Sequence, residues 1–255
     1  MESTRDGASG KRKEPCHDSA SCGKSSHGAV PEAHSSLSGV LPLVSFVIPT
    51  FNHYNLLLDT LASLEAQTVG AWEVIVVDNG SMPEEKAQLM DTGWRGDPRL
   101  VLIQLERNTG FSPAVNVGIK ASRAPLIVVL NNDLLLDPNW VETVLAAMSA
   151  HPSWLHAATK IRQYHRPDLF DDAGNALLPT GRAVKLGYAE RDAGQYDSDA
   201  YGACILSACG AAAVYRRAFF DTVGLFDEDF FAYLEDVDLG LRAQRMGHPC
   251  GWIPE

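Results

Sequence analysis

The sequence predicts an α/β protein whose central sheet is mostly parallel and covered by helices on both faces. Two runs carry that expectation. Pro125-Leu-Ile-Val-Val-Leu130-Asn131-Asn132-Asp133 and Glu73-Val-Ile-Val-Val-Asp78-Asn-Gly-Ser81 each set an unbroken, β-branched apolar stretch before an acid. Such runs suit strands buried on both faces. The third observation is a steady alternation of strand and helix patterns from Leu43 onward. A carboxylate at the carboxyl end of a strand in this architecture lies at the rim where open α/β sheets bind ligands.

The elements follow in order. Residues 44–48 read as a strand ended by Pro49, and 54–67 as a helix with Leu57, Leu61 and Leu64 on one face. Residues 72–77 form a strand, 83–90 a helix with Pro83 in its first turn, 99–105 a strand and 112–121 a helix. Strand 126–130 precedes Asp137-Pro138, which opens a helix to about Ala150 with Asp137 as N-cap. From 160 to 200 the mixture of Gly, Asp, Pro and Tyr reads as an excursion over the site rather than as sheet. Order returns in the small, apolar stretch 203–215, then a short helix at 216–223. A last helix spans 235–246, with Val237, Leu241 and Leu239 facing inward and Gly247 ending it. A further strand begins at Trp252.

With 255 residues the chain is long enough for one large domain or two small ones. Residues 1–40 are rich in Ser, Gly, Lys, Glu and His and are expected to be a disordered tail before a globular domain at 41–255. Net charge is −11, and beyond the first 40 residues 16 basic side chains face 27 acidic ones. That balance excludes a general nucleic-acid binder, though not a protein that binds one nucleotide. Five cysteines, an odd number, suit a reducing compartment. Cys16 and Cys22, with His17 and His27, match no zinc spacing, and Lys11-Arg12-Lys13 is too short for an address. No apolar run approaches ~20 residues, and the polar start lacks a signal core, so a cytoplasmic protein is expected.

The chemistry gathers in four places. Asp78 can accept hydrogen bonds from a nucleoside, or equally cap the next helix. Asn131-Asn132-Asp133 offers one carboxylate among neutral amides, a set that leaves a hard divalent cation free to take diphosphate oxygens. A turn built from Asn and Asp is the alternative. Arg107-Asn-Thr-Gly-Phe111 has neither dinucleotide-binding nor P-loop spacing, which argues against a dehydrogenase or a P-loop NTPase. Asn108 and Asn116 remain candidates to hold a ligand at the rim. The last cluster is Phe230-Phe-Ala-Tyr-Leu-Glu235-Asp236-Val-Asp238, where three acids open a helix, as the macrodipole favours. Glu235 and Asp238 share one helical face, and Asp236 points elsewhere. A carboxylate beside this aromatic wall also suits a general base for a hydroxyl nucleophile.

Taken in order, Val44-Ser-Phe-Val-Ile-Pro-Thr-Phe-Asn52, Val77-Asp-Asn-Gly-Ser81, Asn108-Thr-Gly-Phe111, Leu130-Asn-Asn-Asp133 and Leu234-Glu-Asp-Val-Asp-Leu239 resemble the inverting glycosyltransferases of family 2. The rhamnosyltransferase-like branch also has counterparts of Gly187-Tyr-Ala-Glu-Arg-Asp and Gly224-Leu-Phe-Asp-Glu-Asp-Phe-Phe231. The resemblance runs from about residue 43 to the end. It implies the GT-A fold, a Rossmann-like nucleotide-binding half joined to an acceptor-binding half.

By that resemblance Pro49, Thr50 and Asp78 line the nucleoside pocket, with Asn108, Phe111 and Asn131 beside it. Asp133 is the metal-ligating acid, for Mg2+ or Mn2+, with Asn131 in place of a first Asp. Asp236 is the base, Glu235 an acceptor contact, and Cys209 and Gly210 lie on the acceptor side. The implied donor is a dTDP- or UDP-sugar. The implied acceptor is a saccharide or polyprenyl-linked saccharide, which would place the enzyme in the cytoplasm or against the inner face of the cell membrane. Two departures stand out: Asn131 weakens metal affinity, and the relatives continue past Glu255 into a segment that supplies a His near the metal. A truncated site is therefore expected. The rivals are a sugar nucleotidyltransferase, which calls for a basic Gly-rich loop where Pro49-Thr-Phe-Asn52 stands, and a non-catalytic nucleotide- or sugar-binding domain.

Overall fold

The computed structural model describes residues 41–90 and 92–254. The expectations for 1–40, including the Cys16 and Cys22 grouping, lie outside the described residues. The first half alternates as the periodicity predicts: β1 (Val44–Thr50), α1 (Tyr54–Glu65), β2 (Trp72–Asp78), α2 (Pro83–Met90), β3 (Leu100–Gln104), α3 (Phe111–Ala121), β4 (Leu126–Leu130) and α4 (Trp140–Ala150). There follow β5 (His156–Thr159), the side strands β6 (Ile161–Gln163), β7 (Arg166–Asp172), β8 (Asn175–Leu177) and β9 (Ala183–Lys185), and a 3-10 turn at Asp199–Cys204. The chain closes with β10 (Ala212–Arg216), α5 (Arg217–Thr222), α6 (Glu235–Arg245) and β11 (Gly251–Ile253).

Seven strands form one sheet in the order β11-β5-β10-β4-β1-β2-β3. Neighbours are parallel except at β10, which runs antiparallel to both β4 and β5. Alternate side chains divide between two cores, as the two-residue period of a strand requires. Phe46, Ile48, Val74, Val128 and Val214 face α1 and α4, together with Leu57, Leu61, Leu64 and Trp140. Val47, Val129, Ala213 and Tyr215 face Val115 of α3, Phe219 of α5, and Leu239 and Ala243 of α6.

Several expectations are corrected. Pro49 does not end β1, which continues to Thr50. The β1–β4 ladder ends at Val47, so the missing N–H of Pro49 interrupts no pairing on that side. Asp137 does not cap α4; its carbonyl accepts the Trp140 N–H in a preceding turn. The Val141 N–H is instead satisfied at 3.0 Å by Oε1 of Gln67, whose Nε2 bonds the Asp137 carbonyl. Gln67 thus lies beyond the end of α1 and couples it to α4. The 160–200 stretch contains two antiparallel ribbons, β6–β7 and β8–β9, beside the main sheet. Leu241 is 38% exposed rather than inward, because Leu239 and Ala243, one turn apart, take the buried face. Gly247 ends α6 as expected, with the N–H groups of Gly247 and His248 returning to the carbonyls of Gln244 and Ala243.

His156 opens β5 inside the core, its ring 4.9 Å from Phe219 and parallel to Tyr215. Burial drives its pKa from 6.5 down to about 4, against a partly compensating hydrogen bond to the His248 carbonyl. The folded protein therefore prefers the neutral ring. Stability is full above pH 6.5 and is lost as the pH falls towards 4, where the unfolded chain binds the proton first. We expect acid titration of unfolding free energy to show a loss of about 1–3 kcal/mol over that window that is absent in His156→Phe. An equally steep decline in the variant would assign the loss to other groups.

Candidate active site

The parallel strands β1, β2, β3 and β4 end on one edge, and the polar residues that follow them form a connected rim. Thr50 ends β1 and accepts a hydrogen bond at 2.9 Å from Nδ2 of Asn132, beyond β4. Asp78 ends β2 and is 0% exposed. Its Oδ1 takes the Ser81 N–H at 2.9 Å, and Oδ2 lies 3.0 Å from Lys86 Nζ. The carboxylate therefore sets the turn before α2, and its hydrogen bond goes to Ser81 rather than to an N–H of that helix. The phenol of Tyr54 is buried close by and is pushed up by that burial and by the Asp78 charge.

Asn79 joins this edge to the loop before α3. Its Nδ2 donates to Asn108 Oδ1 at 3.1 Å and to the Gly110 carbonyl at 2.9 Å. Its Oδ1 accepts from the Thr109 N–H at 2.9 Å and the Thr109 hydroxyl at 3.0 Å. Asn108 Oδ1 also takes the Gly110 N–H at 2.9 Å. Asn108 is exposed, and Pro49 and Asn131 are half-buried. Asn116 is no rim ligand: it is buried, and its side chain bonds both the N–H and the carbonyl of Phe226.

A second group meets the rim from β8, the segment before β10 and the start of α6. The Asn131 N–H donates to the Ala211 carbonyl at 2.8 Å, so the segment before β10 touches the residue after β4. Gly210, next in the chain, donates its N–H to Oδ2 of Asp236 at 3.0 Å. Asn175 Nδ2 reaches the same oxygen at 3.0 Å, and the Val237 N–H reaches Oδ1 at 2.8 Å. Glu235 is 7% exposed, and burial, then the neighbouring Asp236 charge, raises its pKa. Cys209 is half-buried beside them, its thiol pushed up by desolvation and by Asp172. Asp238 turns away to pair with Arg242 at 2.9 Å. Phe230 is half-buried, but Tyr233 is 85% exposed, so the aromatic wall is open on that side.

The two groups are locked together at Gly110 and Phe231. The N–H of Phe111, first residue of α3, donates to the Phe231 carbonyl at 2.6 Å. Gly110 has φ 95°, and a Cβ there would lie 2.6 Å from that same oxygen. Only glycine meets both conditions. Tyr233 and Leu234 follow with φ 72° and 70°, two bulky residues in the left-handed region that turn the chain sharply into α6.

Asp133 is exposed and carries no protein ligand partner among the described hydrogen bonds. It lines a cavity of about 250 Å³ with Leu134, Thr159, Lys160, Arg162 and Tyr164. A neighbouring hollow of about 440 Å³ is lined by Asn139, Trp140, Lys160, Arg162 and Asp197; neither Asp78 nor Asp236 lines it. Among the described residues no three His, Cys, Asp or Glu side chains converge as a metal cage. A lone exposed carboxylate still fits Mg2+ or Mn2+ chemistry, in which one or two acids combine with substrate phosphates. Reading by motif missed Asn175, which lies in the stretch without clear periodicity.

A mostly parallel seven-stranded sheet with rim acids and two side ribbons is the arrangement of the GT-A fold. Residues 45–224 match the profile of Glycosyl transferase family 2, and the chain belongs to that family. It is 28% identical over 251 residues to the N-acetylglucosaminyl-diphospho-decaprenol L-rhamnosyltransferase of Mycobacterium tuberculosis, covering 86% of this chain and 75% of that one. It is 27% identical over 224 residues to the O-antigen biosynthesis protein RfbC of Myxococcus xanthus, covering 81% of this chain but only 16% of RfbC. Among solved structures, the mannosyltransferase PcManGT of Pyrobaculum calidifontis, in complex with GDP-Man and Mn2+, superposes with a TM-score of 0.59 at 18% identity. That match covers 85% of this chain and 56% of the mannosyltransferase, so the chain spans little more than half of it.

Replacing Gly110 by Ala forces a Cβ into the Phe231 carbonyl and a strained φ at once. We expect Gly110→Ala to lower unfolding free energy by ~1–3 kcal/mol in urea titration. An unchanged midpoint would show that the two groups are not coupled there.

Proposed function

We propose that the chain is the catalytic part of an inverting glycosyltransferase. In this reading it moves a sugar, rhamnose foremost, from a dTDP- or UDP-sugar to a saccharide or a lipid-linked saccharide. One observation carries the proposal: the Asp236 carboxylate is tied through Gly210 to the segment whose Ala211 carbonyl holds the Asn131 amide. A base and a diphosphate-side station therefore share one rim, as a single displacement between them requires. The family and the rhamnosyltransferase relative support the donor and acceptor classes.

Pro49, Thr50, Asn108, Phe111 and Asn131 form the nucleotide side, with Asp78 beneath it setting the Ser81 turn and the Lys86 ammonium. Asp133 would hold Mg2+ or Mn2+, which when bound offsets the charge developing on the leaving diphosphate. Asp236 accepts the proton of the acceptor hydroxyl as its oxygen bonds to the anomeric carbon. The bond from that carbon to the diphosphate oxygen breaks with its electron pair, the nucleoside diphosphate leaves and the anomeric configuration inverts. Glu235, Cys209 and Gly210 border the acceptor. A lipid-linked acceptor would bring the protein to a membrane surface from outside the bilayer; among the described residues no helix is long and apolar enough to cross one.

A panel of dTDP- and UDP-sugars, with and without Mn2+ and acceptor, tests the proposal by release of nucleoside diphosphate. Release from none of them, with nucleotide binding indifferent to metal, would favour a binding domain. Asp236→Asn is expected to cut transfer by roughly 10²–10⁴-fold while nucleotide binding by calorimetry stays nearly intact. Wild-type transfer by this variant would remove the base assignment. Asp133→Ala should abolish the gain in UDP or dTDP affinity that Mn2+ gives the parent; an unchanged Mn2+ response would place the metal elsewhere.

A further inference from the structure

The Asp236 carboxylate is held by donors from three separate segments. The Val237 N–H occupies one direction of Oδ1, and Oδ2 accepts both the Gly210 N–H and the Asn175 Nδ2. A carboxylate oxygen accepts about two hydrogen bonds. Oδ2 is therefore filled, and Oδ1 keeps the capacity for one further hydrogen bond. Of the three donors only Asn175 is a side chain, and it lies 61 residues from Asp236 in sequence.

Asn175 is itself fixed more firmly than a chance contact requires. It is buried, its N–H donates to the Ser207 carbonyl at 3.0 Å, and its carbonyl accepts the Leu206 N–H at 2.8 Å. Its Nδ2 also lies 3.2 Å from Ser207 Oγ. Upstream, Asp172 Oδ1 takes the Gly174 N–H at 2.6 Å and forms the turn that leads into Asn175. The helix that bears Asp236 is seated on the same Ser207. A Cβ on Gly240, one turn beyond Asp236, would lie 2.2 Å from the Ser207 Cβ, so α6 approaches the Asn175–Ser207 bridge as closely as glycine allows. Asn175, Ser207, Gly240 and Asp236 are one packed unit.

We propose that Asn175 is a positioning residue for the reaction: it fixes the Asp236 carboxylate with Oδ2 engaged and Oδ1 free to take the acceptor proton. The inference rests on the base role proposed above for Asp236. A hydrogen bond serving only the fold would affect unfolding and leave turnover per folded molecule unchanged. A positioning bond to a charged group lowers kcat instead, with donor binding spared.

The test combines a double-mutant cycle with kinetics on the full chain. Asn175→Ala, Asp236→Ala and the double variant are unfolded in urea beside the parent, and all three, together with Asn175→Asp, are assayed with dTDP-rhamnose and a polyprenyl-diphospho-N-acetylglucosamine acceptor. We expect a coupling of about tenfold or more in the folding equilibrium, the size of a hydrogen bond to a charged group. We also expect Asn175→Ala to lose roughly 10–100-fold in kcat with donor KM within about twofold, and Asn175→Asp, which removes the donor and adds a like charge, to lose at least as much. The double variant should be no slower than Asp236→Ala alone. Zero coupling overturns the inference, with or without turnover, as does a parental kcat in Asn175→Ala. Full transfer by Asp236→Asn alongside intact coupling would instead sink the base role and leave the Asn175 contact standing, so the two failures are distinguishable.

Discussion

The side-chain amide of Asn79 sets the geometry on which both halves of the site depend. It makes four hydrogen bonds, to Asn108, to the Gly110 carbonyl and twice to Thr109, which is all that an amide can make. The loop before α3 is thereby held against the end of β2. Gly110 emerges at a fixed position and angle, and the Phe111 N–H meets the Phe231 carbonyl. From Phe231 the chain needs only the Tyr233-Leu234 turn to start α6 and deliver Asp236. A local satisfaction of amide groups at the end of β2 thus decides where Asp236 lies.

Buried charge serves a different purpose at the two ends of the sheet. At the amino end, Glu73 is fully satisfied by the Ser45 hydroxyl and by Arg123, through both its backbone and its guanidinium. Arg217 likewise bonds the Ala124 carbonyl and the Ser122 hydroxyl. These groups close the fold and leave nothing to offer a ligand. At the carboxyl end, Asp133 is exposed and Glu235 is buried with its pKa raised. Capacity left over at that end is what a reactive site requires.

The strands β2 and β4 were legible because four or five apolar residues in a row before an Asn or Asp admit few other structures, and α1 and α2 because the leucines of one and the first-turn proline of the other sit at helical positions. The rim residues were legible as positions, since topology brings all parallel strands to one edge. What escaped has physical reasons. β5 is four residues long, opens with a histidine and has no alternation of its own, so only its neighbours β10 and β11 define it. Asp137 carries the residue type of an N-cap, yet Gln67, from another element, does that work. Leu241 is hydrophobic, but the small Gly240 and Ala243 let α6 approach more closely on the adjoining face. Asn175 gives no motif signal because its importance lies in a partner distant in sequence.

The antiparallel strand β10 has a consequence for how the chain assembles. It lies between β4 and β5, both of which precede it, and β11 then covers the other side of β5. During synthesis β1, β2, β3 and β4 can pair as soon as they emerge, but β5 has no neighbour until residues 212–216 appear. Through that interval the growing polypeptide carries the apolar edge of β4 unpaired, the kind of edge that invites association with other chains. Residues 160–211 are therefore the stretch of chain that must be made before that edge can be closed.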